Sequence, residues 1–129
     1  DDKEAVKWYR KAAEQGDATG QLLLGSMYDD GEGVPLDDKE AVKWYRKAAE
    51  QGDATAQNNL GVMYMNGEGV LEDYVTAYAW FNIAQANGIA EAEELKRNCA
   101  KEMTADQIAR AQELSREMVK KNPNLILNS

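Results

Sequence analysis

Residues Asp37–Thr55 read DDKEAVKWYRKAAEQGDAT, and the same nineteen residues, letter for letter, form Asp1–Thr19. The offset of 36 residues continues beyond the identical block, because the turn sequence GEGV at 31–34 returns at 67–70. Self-similarity at such a period is typical of repeat proteins built from stacked helix pairs. We therefore expect one structural unit that is used several times in the chain.

A third and weaker copy of the pattern follows, and the aromatic residues show it best. Phe81 takes the place of Tyr45, and Trp80 takes the place of Trp44. Side chains that return at a fixed spacing are typical of a packed core, so we interpret the aromatic residues on this register as core. They are Trp8, Trp44, Trp80, Tyr9, Tyr45, Phe81, Tyr28 and Tyr64.

Composition limits the function classes. A chain of 129 residues can bury roughly two-thirds of its unfolded surface, so folding requires no metal or disulfide. The absence of histidine argues against zinc sites and histidine-based catalysis, and we interpret the single Cys99 as a half-buried residue and not a reactive thiol. A net charge of -8 disfavours nucleic acid, and no apolar run is long enough to span a bilayer. We expect no cofactor, no metal and no membrane insertion.

Local patterns predict antiparallel helix pairs. Asp1–Glu14 carries small and aromatic residues at three- and four-residue spacing, which gives one apolar stripe on a helix. Gly16 ends this helix, and Asp17 caps the next one, expected at roughly 18–29. The sequence DGEGVPL at 30–36 then predicts a turn, because Pro35 prevents the helix from continuing.

A glycine stands inside the first helix of each predicted pair, at Gly25 and again at Gly61. A glycine within a helix costs about 1 kcal/mol relative to alanine, so its recurrence needs a compensating reason. We expect a neighbouring helix to approach closely at both positions.

The repeat pattern resembles the Sel1-like repeat family, which is related to the tetratricopeptide repeats. The resemblance rests on QxxLGxMYxxGxGV at 57–70 and DxxxAxxWYxKAAxxGDA at 37–54, and it covers roughly residues 1–90. It implies an all-α, right-handed α-α superhelix, a solenoid of antiparallel helix pairs with a C-terminal capping pair. It also implies a protein-binding scaffold without catalytic activity, often in the bacterial envelope or secreted, with the cytoplasm left open.

The predicted solenoid spans residues 1–121 as one domain. It divides into a half repeat at 1–16, full repeats at 17–52 and 53–88, and a cap at 89–121. A capping box at Thr104 to Gln107 opens the last helix, which we expect to end near Lys121. For the tail at 122–129 three alternatives stay open: disorder, packing on the cap, or packing on another chain. Because the chain opens on the second half of a repeat, we expect it to be a piece of a longer protein.

The predicted partner-binding surface lies on the first helix of each pair. By analogy with tetratricopeptide repeats, this helix lines the concave side of the solenoid, and its non-core positions contact the partner. Asparagine amides suit an extended peptide backbone, and neighbouring aspartates favour a basic segment. The alternative is that these side chains only cap or pad helices. The predicted residues are Thr19, Leu22, Ser26, Asp29, Asp30, Thr55, Asn58, Asn59, Val62, Met65 and Asn66.

Three function classes compete on this sequence. We favour a module that binds a protein or peptide. The second is a structural protein that forms homo-oligomers through its N-terminal half repeat, since the missing first helix would expose the surroundings of Trp8. The third, a β-lactamase-like hydrolase, would need Ser-x-x-Lys and Lys-Thr-Gly motifs, but Asp29 follows Ser26 and Met118 follows Ser115 at that spacing. We therefore predict no catalytic residue.

Overall fold

A computed structural model describes residues 1–127, which form seven α-helices and one short 3-10 helix, with no strand in that range. Successive helices from α1 to α5 pack against each other, which confirms the predicted helical solenoid. None of the helices described is long and apolar enough to cross a membrane. The helices are α1 (Asp2–Glu14), α2 (Ala18–Asp30), α3 (Asp38–Glu50), α4 (Ala54–Asn66), α5 (Tyr74–Ala86), α6 (Glu91–Ala100), α7 (Ala105–Lys121) and the 3-10 helix Pro123–Leu125.

The helices of the repeats begin at aspartate N-caps. Each carboxylate accepts a hydrogen bond from the backbone N–H three residues later, which satisfies one of the free donors of the first turn. Because these caps share the 36-residue period, the helix starts repeat with it. The caps are Asp1, Asp17, Asp37, Asp53 and Asp73. The predicted capping box of Thr104 and Gln107 also forms, at the start of α7.

The three equivalent tryptophans differ in burial. Trp44 is 5% exposed and packs with Val6, Ala13 and Leu24 of the preceding helix pair, and Trp80 is 4% exposed. Trp8 is 59% exposed, because no helix in this chain precedes α1. The core interpretation is therefore wrong for Trp8, and the exposure expected of an incomplete first pair is what the structure shows.

Both internal glycines lie where a ring from the next helix packs closely. A Cβ added to Gly25 would lie 2.7 Å from Cδ1 of Tyr45, and one added to Gly61 would lie 2.6 Å from Cε1 of Phe81. The expected close approach is confirmed, with an aromatic ring of α3 or α5 filling the space that the glycine leaves.

Helices α6 and α7 pack on α5 and cover the far side of the second repeat. Cys99 of α6 is fully buried there, more than the half-burial that we expected, because it joins a cluster with Phe81 and Ala111. This burial raises the pKa of the thiol to about 11. The thiol is therefore protonated at neutral pH, in agreement with an unreactive residue.

The tail folds back onto its own chain. Residues 122–127 leave the end of α7 and lie against α3, α4 and α5, where Leu125 is buried in the main core cluster. Asn128 and Ser129 lie outside the described residues. Of the alternatives for the tail, residues 122–127 pack within the chain, on the repeats and beside the cap.

Candidate functional site

The predicted surface lies on α2 and α4, and we call its eleven residues the α2/α4 face. Thr19, Asp30, Thr55 and Asn66 are exposed, whereas Asn58 is buried. The remaining members are half-buried: Leu22, Ser26, Asp29, Asn59, Val62 and Met65. The chain therefore offers a strip of accessible side chains on both helices, with some predicted members turned into contacts between helices.

The two adjacent asparagines of α4 have different surroundings. Asn58 is 4% exposed, and its Nδ2 donates a hydrogen bond to Oε1 of Glu91 at 3.2 Å, which links α4 to α6. The Oδ1 atom of Asn58 is buried without a hydrogen-bond partner among residues 1–127. Asn59 is half-exposed, and its side chain makes no hydrogen bond within the same range. Of the pair, Asn59 is the one that is free to contact a partner.

Asp29 has a partner inside the protein. Its Oδ2 accepts a hydrogen bond from the hydroxyl of Tyr45 at 3.0 Å. One repeat later, Met65 replaces Asp29 and Phe81 replaces Tyr45, and Met65 packs against the cluster that contains Phe81. The aspartate and the hydroxyl are thus present together in one copy and absent together in the next. This difference between copies follows from internal packing.

Acidic residues gather where α2 ends. Burial raises the pKa of Asp29, the hydrogen bond from Tyr45 partly opposes that shift, and the charges of Asp30, Glu68 and Asp38 add to the increase. Carboxylates grouped in this way around Asp29 create a region of negative potential. This edge of the α2/α4 face favours a cationic group on a partner.

Side-chain amides join neighbouring repeats at the turns between pairs. At the first such turn, Nε2 of Gln51 donates to Oε1 of Gln21 at 2.8 Å and to the carbonyl of Gly16 at 3.0 Å. At the second, Asn87 takes the place of Gln51 and donates to Oε1 of Gln57 at 2.9 Å. We call these two places the first junction (Gly16, Gln21, Gln51) and the second junction (Gly52, Gln57, Asn87).

A cleft of about 400 Å³ lies between α5 and α7. Ile83, Ala86, Val119 and Ile126 give it aliphatic lining, and two of its polar lining residues are joined by a hydrogen bond of 2.9 Å from Nδ2 of Asn82 to the hydroxyl of Ser115. Among residues 1–127, no three cysteine or acidic side chains are grouped to hold a metal ion. The lining residues are Asn82, Ile83, Ala86, Ser115, Arg116, Val119, Lys120 and Ile126.

Comparison with protein families gives three matches to one family model. The model described as Sel1 repeat matches residues 1–17, 18–53 and 54–88, which is more than half of the chain. The chain belongs to the Sel1 repeat family. A comparison with curated proteins found no significant match.

Solved structures of Sel1 repeat proteins share this fold. The chain is similar to c5321, a protective antigen present in uropathogenic Escherichia coli strains that displays an SLR fold. The TM-score is 0.89 with 40% identity, over 95% of this chain and 27% of that one. It is also similar to a Sel1 repeat protein from Oxalobacter formigenes, with a TM-score of 0.68 and 43% identity, over 70% of this chain and 37% of that one. The chain thus spans less than two-fifths of each of these structures.

Sel1 repeat proteins generally mediate protein–protein interaction, and their fold is typically a non-enzymatic interaction scaffold. The resemblance seen in the sequence correctly indicated the family and the helical solenoid fold. The partner of this chain stays a prediction, and so do the side chains that contact it.

The hydrogen bonds of the junction amides were not predicted from the sequence. Gln21 and Gln57 are equivalent positions and both are buried, with Nε2 bonded to the carbonyls of Ala13 and Ala49. The signal in the sequence that could have indicated these contacts is a glutamine that recurs at the same buried position of the repeat. Polar groups buried in a protein need hydrogen-bond partners, so a recurring glutamine predicts a recurring backbone contact.

Proposed function

We propose that this chain is a non-catalytic module that binds an extended segment of a protein partner along the α2/α4 face. The observation that supports it is Asn59, a half-exposed amide at the middle of α4 whose donors and acceptor are unused among residues 1–127. A side-chain amide can bond both the N–H and the C=O of a peptide backbone, so this position suits an extended segment.

The acidic edge of the same face indicates the charge of that segment. Asp29 and Asp30 lie at the end of α2, and Glu68 follows α4, so the potential is negative where the two helices end. A segment with lysine or arginine at one end would gain favourable electrostatic attraction, and salt would weaken its binding. We therefore propose a basic, extended segment as the partner.

The test uses peptides selected from a random library against the intact chain. We expect the selected peptides to be rich in lysine and arginine and to bind Asn59→Arg at least about tenfold more weakly, which corresponds to about 1.4 kcal/mol. Asn98→Arg is the matched control, since Asn98 is an exposed asparagine of α6 and is not one of the eleven residues of this face. Fluorescence anisotropy measures the affinities, and circular dichroism checks that both variants remain helical.

Two results would contradict this proposal. If the selected peptides bind Asn59→Arg and the unchanged chain with equal affinity, they do not contact the α2/α4 face. Peptides without an excess of basic residues would remove the part of the proposal that rests on Asp29 and Asp30. Asn58 is left unchanged in the experiment, because its burial would turn a binding test into a stability test.

A second candidate function is self-association through α1. The observation that favours it is Trp8, which is 59% exposed beside a shallow depression lined by Glu4, Lys7 and Lys11. Large exposed aromatic residues are frequent at protein interfaces. Sedimentation of the chain at high concentration should then show a dimer that Trp8→Glu converts to a monomer. A monomer at every concentration would rule out this candidate.

A further inference from the structure

The tail of the chain is held at the second junction mainly through its backbone. The carbonyl of Leu125 accepts hydrogen bonds from Nε2 of Gln57 at 2.9 Å and from Nδ2 of Asn87 at 2.7 Å. The N–H of Leu127 donates to Oδ1 of Asn87 at 3.1 Å. Asn87 thus bonds a C=O and the N–H two residues later, which is how a neighbouring strand would hold an extended segment.

Only one side chain of this segment is buried in the junction. Leu125 is 3% exposed and joins the core cluster with Ala49, Ala56 and Ile83, whereas Leu127 is 64% exposed. The backbone lies close to Gly52, where an added Cβ would be 2.5 Å from the carbonyl oxygen of Asn124. The second junction therefore recognises an extended backbone with one buried leucine. The next two side chains pack at its edge, with Ile126 partly buried against the same core cluster and Leu127 beside Gly52.

Among residues 1–127, no extended segment is bonded at the first junction in this way, and the hydrogen bonds of Gln51 give the reason. Gln51, one methylene longer than Asn87, reaches the carbonyl of Gly16, and so both hydrogens of its amide are used by residues of the first junction. A Cβ added to Gly16 would meet nothing within 4 Å, in contrast to Gly52. The amide hydrogens of Gln51 are therefore not available to another segment. Asn87 of the second junction also donates to the glutamine of its repeat, but its other amide hydrogen is bonded to the carbonyl of Leu125 in the tail.

We propose that the second junction is a segment-binding site, occupied by the chain's own tail, which accepts an extended segment of a partner protein with a leucine in the position of Leu125. The tail competes with the partner, so the partner binds by displacing it. This site uses Gly52, Gln57 and Asn87, none of which belongs to the α2/α4 face, and it can exist whether or not that face binds a peptide.

The experiment uses a fluorescein-labelled peptide with the tail sequence NPNLIL as the probe. In the wild-type chain the tethered tail is present at an effective concentration in the millimolar range, so the probe should bind weakly. Leu125→Asp removes the buried side chain of the tail, and we expect this variant to bind the probe at least about tenfold more tightly than wild type. A probe with aspartate in place of its leucine should not bind.

Asn87→Gln is the matched variant, because it installs the residue that the first junction has at that position. Combined with Leu125→Asp, it should close the second junction and weaken probe binding at least about tenfold, with helix content unchanged. Asn59→Arg, in the same background, should leave probe binding unaltered. The proposal is overturned if Leu125→Asp binds the probe no more tightly than wild type, or if Asn87→Gln has no effect.

A measurement on the wild-type chain covers the case in which Leu125→Asp does not fold. The N–H of Leu127 is bonded to Asn87 only while the tail is docked, so its hydrogen exchange reports displacement. Excess NPNLIL probe should accelerate this exchange. Unchanged exchange at millimolar probe would also overturn the proposal.

Discussion

Two identical stretches of this chain have different structural surroundings. Trp8 and Trp44 occupy the same position of the same nineteen-residue sequence, yet one is largely exposed and the other is buried. Tyr9 is half-buried and Tyr45 is fully buried, with its hydroxyl on Asp29. Both stretches form the same helix with the same aspartate cap. Local sequence therefore determines the helix, and the preceding and following helices determine which of its residues become core.

The largest expected difference in stability comes from making the same substitution in both copies. Trp44→Ala should destabilise the chain by about 3–5 kcal/mol, because it leaves a cavity among Val6, Ala13 and Leu24. Trp8→Ala should change the free energy of unfolding by less than about 1 kcal/mol, since most of the side chain is in water. Urea denaturation followed by circular dichroism measures both. Equal losses from the two variants would show that burial of the two copies is equivalent in solution.

A smaller effect is expected from closing the space beneath Tyr45. Gly25→Ala places a methyl group 2.7 Å from the ring, so the helices must separate, at a cost of about 1–3 kcal/mol. The intrinsic preference of a helix for alanine offsets about 1 kcal/mol of that cost. Thr55→Ala, on an exposed position of α4, is the control and should have little effect. A stabilised Gly25→Ala variant would contradict the close packing that distinguishes Tyr45 from Tyr9.

The sequence was sufficient to predict the fold because each local signal recurs with the 36-residue period of the repeat. Aspartate caps, the turn at 30–36 and the glycines at 25 and 61 each predicted a feature that the structure contains. What the sequence could not show is contacts between distant residues. The hydrogen bonds of Asn87 to the tail join residues 38 and 40 positions apart, and no periodic pattern encodes them.

The candidate site was harder to predict for a related reason. Asp29 and Met65 were predicted as non-core positions that contact a partner, but each matches the residue packed against it, Tyr45 or Phe81. Similarly, Asn58 lies against α6, a helix whose sequence no longer follows the repeat. Residue spacing shows which side chains share one face of a helix. Whether those side chains are exposed depends on the helix that packs next to them.

The paired difference between the repeats gives the third prediction. Tyr45→Phe leaves Asp29 without its donor and should cost about 1 kcal/mol, whereas Tyr9→Phe, in the identical sequence, should cost almost nothing. Adding Asp29→Met to Tyr45→Phe reproduces the pair found in the second repeat and should restore the loss. Denaturation of the four chains forms a double-mutant cycle. Additive effects in that cycle would show that the two positions are independent.

The smallest effect concerns the charge of Asp29 and its dependence on pH. Burial, together with neighbouring carboxylates, raises the pKa of Asp29 above its ordinary 3.8, so the folded chain binds this proton more tightly than the unfolded chain does. The ionised carboxylate therefore opposes folding at neutral pH, and this cost falls as pH decreases through the raised pKa towards 3.8. Asn in its place still accepts the bond from Tyr45 without a charge. Asp29→Asn should accordingly be more stable than wild type at pH 7, and the difference should shrink between pH 7 and pH 4 in parallel denaturation series. An Asp29→Asn variant that is less stable than wild type at pH 7, with a deficit that shrinks on acidification, would mean that Asp29 is stabilised as an anion and that the hydrogen bond from Tyr45 outweighs its burial.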